Sequence, residues 1–89
     1  MQQSEIVVRN RFGLHMRAAA RITQVARSFS SSVVLVVNGR AANARSLMAI
    51  MVLAASMGTR VSIEVAGPDE AEALQAVTKL FDDRFGDPR

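Results

Sequence analysis

A single histidine, His15, lies in the stretch Gly13-Leu14-His15-Met16-Arg17-Ala18-Ala19-Ala20, with an arginine two residues on. Imidazole changes its charge near neutrality and serves as a nucleophile in group transfer. The glycine breaks the preceding segment and delivers the ring to what reads as the first turn of a helix. Unpaired N–H groups and the positive end of the helix dipole collect there, and both attract a phosphate. Arg17 adds a planar, permanently charged fork suited to phosphoryl oxygens. Phosphoryl transfer asks mainly for positioning and charge neutralisation, so a small rigid site is enough. By itself the spacing leaves a plainer reading open, in which His15 caps a helix and Arg17 is merely solvated.

Ser46 is the second candidate. A serine there fits the N-cap of a short helix. It also fits a regulatory phosphosite, where phosphate would place about two negative charges beside an apolar surface. That surface would be Leu47, Met48 and Met51, for which core packing and an adaptable binding face are both open.

These residues need elements to hold them. Glu5 to Arg9 reads as a short strand, with Ile6 and Val8 on one face. A helix follows from about Met16 to Ser28, its apolar stripe Ala19, Ile22, Ala26 and Phe29. Val33 to Val37 is a β-branched run suited to a strand buried in the sheet centre. Asn38-Gly39 signals a tight hairpin into a weak edge strand at Arg40 to Asn43. Leu47 to Met57 reads as a helix ended by Gly58, with Ile50, Leu53 and Ala54 inward. Arg60 to Ala66 alternates as a strand with Val61, Ile63 and Val65 inward. Asp69 with Glu72 marks a helix start, and Leu74, Val77, Phe81 and Phe85 form that helix's apolar face. The order β-α-β-β-α-β-α implies an α+β sandwich, one antiparallel sheet with three helices on one face.

The chain has 89 residues, 49% apolar and 21% charged, which fits one folded domain over 1–89. It has no cysteine and one histidine, which excludes disulfides and argues against a zinc or other transition-metal site. No glycine-rich nucleotide loop is present, so no cofactor is expected. No apolar run approaches the roughly 20 residues of a membrane span, and no basic, apolar leader opens the sequence. A cytoplasmic protein without membrane insertion is the expectation. Residues 1–45 hold seven arginines and one acid, for a charge of +6, while 46–89 carry −3. The basic half suggests anionic partners, or else a solvated face. Nucleic acid is not expected among those partners: the chain lacks Trp and Tyr, and none of its four Phe falls on an expected strand.

Several stretches together resemble the HPr family of histidine phosphocarriers. They are Gly13-Leu14-His15-x-Arg17-x-Ala19-Ala20, Asn43 to Met51, Leu53-Ala54-Ala55 before Gly58, Ala66-Gly67 before Asp69, and Leu80-Phe81 before Phe85-Gly86. The resemblance implies that family's open-faced β-sandwich. It implies that His15 takes a phosphoryl group on Nδ1 from enzyme I and passes it to EIIA-type domains, with Arg17 neutralising it. The chain would then be a shuttled phosphoryl intermediate, likened to a monomer, more than a self-sufficient enzyme. Ser46 matches the family's regulatory serine, the target of an HPr kinase/phosphorylase in some lineages. Met16, Arg17, Ala20, Arg21, Leu47, Met48 and Met51 would form the docking face. Ala18 stands where the family usually has proline, Met16 where it has a small residue, Ala49 where glycine is common and Arg45 where lysine is common. The stretch from Ala66 to Leu74 is also similar to the nitrogen-branch paralogue NPr, which makes a regulatory module without a role in sugar uptake the alternative.

Overall fold

The computed structural model describes residues 1–87. Among them the order is β1 (Gln2–Val7), α1 (Met16–Arg27), β2 (Ser32–Val37), β3 (Arg40–Asn43), α2 (Leu47–Val52), β4 (Arg60–Ala66) and α3 (Glu70–Asp82), then a short 3-10 turn at Arg84–Gly86. The strands make one antiparallel sheet in the order β1-β4-β2-β3. The expected α+β sandwich is therefore the observed one.

Alternation along the two inner strands decides where the core lies. Val33, Leu35 and Val37 of β2 and Val61, Ile63 and Val65 of β4 face the helices, none more than 3% exposed. They meet Ala18, Ala19, Ile22 and Ala26 of α1 and Ala73, Val77 and Phe81 of α3, all buried. The run in β2 is buried on one face only. Val34 and Val36 are half-buried on the other face, paired with Glu64 and Ser62 of β4. Their branched side chains there favour extended backbone as much as they fill a core. The Asn38-Gly39 turn has positive φ at both residues, 52° and 78°, which fits its twist to that of the flanking strands.

Three local expectations need correction: the bounds of β1, which runs Gln2–Val7 and not from Glu5 to Arg9, the end of α2 and the place of Phe85, while α3 starts after Asp69 as expected. Helix α2 ends at Val52 rather than Met57. Leu53 and Ala55 both turn into the core, and Ala54 between them takes a left-handed φ of 53° and is exposed rather than inward. That bend frees the Ala55 carbonyl to accept the Leu14 N–H at 2.9 Å, tying the segment after α2 to the loop before His15. Asp69 precedes α3 without capping it through its side chain. Its carboxylate instead accepts from the Ser30 and Ser31 N–H groups, both at 2.9 Å, and from the Ser31 hydroxyl. The Ser31 hydroxyl first and the Ser30 amide next hold this carboxyl below its usual range. Phe85 is buried as expected, but from the turn beyond α3, where its φ is 55°. The ring meets Phe81 edge-on at 4.9 Å between centroids. Full burial of a Phe stabilises by about 1.5–3 kcal/mol, enough to offset the roughly 1–2 kcal/mol cost of left-handed backbone.

Arg45 joins two of the helices. Its guanidinium donates to the carbonyls of Phe29 at 2.6 Å and Ala26 at 3.4 Å, closing the C-terminal end of α1 from the turn that leads into α2.

Gly13 has a φ of +64°, and a Cβ there would overlap the Ala55 carbonyl oxygen and sit 2.9 Å from the Ser56 Cα. Gly39 shares the positive φ, but a Cβ there meets nothing within 4 Å. Gly13→Ala is therefore expected to lower stability well beyond the roughly 1 kcal/mol of a purely conformational substitution, and Gly39→Ala to stay near that figure. Urea unfolding midpoints of the two variants check this ordering.

Candidate functional site

His15 is the N-cap of α1. Its φ of −69° and ψ of 175° are extended, and its Nδ1 accepts the backbone N–H of Arg17 at 3.2 Å. The main-chain carbonyl of His15 already receives Ala19 N–H at 2.9 Å. The N–H groups of Met16, Arg17 and Ala18 therefore fall in the helix turn that has no preceding carbonyls to bind. Ala18, with an N–H that proline would lack, adds one donor to this ring of amides.

The other ring nitrogen meets a residue the sequence did not single out. Nε2 of His15 lies 2.7 Å from Oδ2 of Asp87. The second oxygen, Oδ1, accepts from the Arg17 guanidinium, also at 2.7 Å. The Asn10 side-chain amide donates to Oδ2 at 3.0 Å and to the Gly13 carbonyl at 2.6 Å. The Asp87 side chain is 0% exposed, that of His15 25% and that of Arg17 59%. Burial alone would raise the Asp87 pKa, but hydrogen bonds from His15, then Arg17, then Asn10 outweigh it and hold the carboxyl below its usual range.

Phe12 leans its ring against the imidazole, with centroids 6.3 Å apart and planes at 86°, and Arg11 lies 5.9 Å from the Phe12 centroid. Phe12 and Met16 are both 63% exposed, so the imidazole is flanked by apolar side chains open to an approaching surface.

Ser46 caps α2 as expected, its Oγ accepting Ala49 N–H at 3.2 Å. No hydrogen bond joins it to His15 among the described residues; the link is the packing of α2 beside α1. Met48 is 68% exposed, while Leu47 and Met51 are half-buried against the core. Ala20 and Arg21 are exposed on α1, and the Arg21 guanidinium lies beside Gly86. The structure thus unites His15 and Arg17 directly, through Asp87, and leaves Ser46 and the methionines on the neighbouring helix.

Asn10, Phe12 and Asp87 were not singled out in the sequence. A polar residue three before the glycine is a weak turn signal for Asn10. Asp87 sits 72 residues from His15, and no local pattern announces such a pairing.

The chain matches a known group of proteins in sequence and fold. Residues 2–83 fit the family model described as the PTS HPr component phosphorylation site. The chain belongs to the HPr family. It is 45% identical to the phosphocarrier protein HPr of Cupriavidus necator over 98% of both chains. HPr-C-His from Thermoanaerobacter tengcongensis superposes with a TM-score of 0.96 at 37% identity, covering 100% of both chains. A chain of the HPr dimer from the same organism superposes at 0.78 and 38% identity, covering 98% of this chain and all of that one. This HPr-family chain is thus a phosphocarrier of the phosphotransferase system.

Because the Asp87 carboxyl is held below 3.8, its contribution to stability is fully present above that pH and is lost as pH falls through its depressed value. Urea midpoints measured from pH 5 downward are expected to fall in the wild type, and to fall less steeply in Asp87→Asn.

Proposed function

We propose that this chain carries a phosphoryl group on Nδ1 of His15, taken from the phosphohistidine of enzyme I and given to EIIA-type acceptor domains. The observation that supports it most is the orientation of the ring: Nδ1 faces the open helix end, and its one hydrogen bond among the described residues is the Arg17 N–H that it accepts. An accepting nitrogen holds a lone pair and can attack phosphorus. As the new N–P bond forms, the donor's N–P bond breaks and its electron pair returns to the donor ring. The first-turn amides and the Arg17 guanidinium then neutralise the phosphoryl oxygens. The second transfer reverses these roles.

Met16, Ala20, Arg21, Leu47, Met48 and Met51 serve as the docking face. Arg17, Arg21 and Arg27 around it steer acidic partners, and the interface is of the transient kind, below about 1,200 Å². The chain works as a monomer in the cytoplasm, without nucleic acid. The HPr relatives favour a role in sugar uptake over the nitrogen-branch alternative. Ser46 acts as a regulatory site for an HPr kinase/phosphorylase: it is half-buried beside exposed Met48, so phosphate there puts charge on the docking face.

Incubation with phosphoenolpyruvate and enzyme I is expected to give an acid-labile, base-stable phosphate that His15→Ala cannot form. A label surviving in that variant would overturn the assignment. Arg17→Ala is expected to slow transfer by about a hundredfold, the usual loss when one charged donor is removed from a transition state. Ser46→Asp is expected to bind enzyme I more weakly than the wild type in calorimetry, and equal affinities would remove the regulatory role.

A further inference from the structure

We propose that Asp87 is a positioning residue for the transfer, one that keeps a proton on Nε2 of His15 in both the free and the phosphorylated states. This rests on the reading of His15 as the phosphoryl acceptor. Residue 87 lies beyond the stretch matched by the family model, which ends at 83.

Two independent partners select the same ring tautomer. The Asp87 carboxylate is an acceptor only, so the nitrogen 2.7 Å from it must bear the hydrogen. The Arg17 backbone N–H is a donor only, so Nδ1 must be bare. The Arg17 contact alone, at 3.2 Å and on the exposed side, is the weaker of the two. The buried carboxylate therefore settles the choice.

The carboxylate is itself held firmly. Arg84, Phe85 and Gly86 all have positive φ, at 52°, 55° and 74°, and this turn points Asp87 back toward α1. Backbone bonds from Gly86 to Asp83 at 3.0 Å and from Asp87 to Arg84 at 2.8 Å close it. The Phe85 ring, 1% exposed, anchors it in the core, and Asn10, 0% exposed, grips the carboxylate from the opposite loop.

The consequence concerns charge. When the Nδ1 lone pair takes the phosphoryl group, the Nε2 proton has no need to leave. The ring becomes cationic, and Asp87 is its counter-charge. On the second transfer the N–P electron pair returns to Nδ1 and the ring is neutral again, with the same proton in place. A cationic ring is the better leaving group, so Asp87 keeps the phosphoryl group easy to pass on. Among the described residues, Arg17 is the other charged group paired with this carboxylate. Its exposed guanidinium can shift from Oδ1 toward the phosphoryl oxygens, while Asp87 keeps Asn10 and the imidazole.

The test is ¹⁵N NMR of histidine-labelled protein at pH 7. In the free wild type one tautomer, Nε2–H, is expected, and Asp87→Asn and Asp87→Ala are expected to mix in the Nδ1–H form. This part needs no donor protein, so it stands or falls separately from the carrier reading. In protein phosphorylated chemically with phosphoramidate, the wild type is expected to keep the Nε2 proton and Asp87→Asn to lose it in part. Transfer from the phosphorylated variant to an EIIA domain is expected to slow by about tenfold or more. A merely structural role would change the melting temperature but leave the ring nitrogens as they are. A wild-type Nδ1–H tautomer, or variants with unchanged ring spectra, would overturn the proposal.

Discussion

A carboxylate taken out of water must find donors, and among the described residues Asp87 finds three, on two segments. The imidazole comes from the cap of α1, the guanidinium from its first turn, and the amide from the loop after β1. Each of these groups would otherwise have freedom of its own. The carboxylate removes it by fixing the ring plane, the ring tautomer and the resting place of Arg17 together. Separate pairs at a surface contribute little. A shared, desolvated acceptor organises more, because leaving it short of any one donor is costly.

The rest of the molecule serves to bring those segments to one point. The Leu14 N–H reaches the Ala55 carbonyl, and Val8 exchanges bonds with Thr59 and Gly58, so the loop before His15 is stitched to the segment between α2 and β4. Asp69 gathers the serines ahead of β2, and Arg45 closes the far end of α1. These polar ties lie at the ends of elements whose interiors are held by apolar burial. The division is physical: helix and strand interiors satisfy their own backbone, and only their ends need outside partners.

That division also explains what could be read in the chain before its shape was known. Alternation in Arg60 to Ala66 and the spacing of Ala19, Ile22 and Ala26 depend on neighbours within a few residues, and they named the buried face correctly. The Asn-Gly pair named its turn for the same reason. His15 at a helix start was legible because glycine and a helical repeat flank it. The end of α2 was not, since Leu53 turns into the core and Ala55 leaves the helix to meet the Gly13-Leu14 loop, distant in sequence. Asp69 marked the start of α3 correctly, but its bonds to Ser30 and Ser31 were not legible, because those serines lie 39 and 38 residues away. Asp87 was invisible because nothing near it in sequence needs a carboxylate.

The separation between His15 and Asp87 sets an order of events during synthesis. The imidazole emerges from the ribosome 72 residues ahead of the carboxylate that orients it. Until the turn that carries Asp87 is in place, the only one of the two ring contacts available to His15 is the local one, Nδ1 with the Arg17 N–H. The cap of α1 is thus made locally, and its buried acceptor is supplied only by the last described turn of the chain.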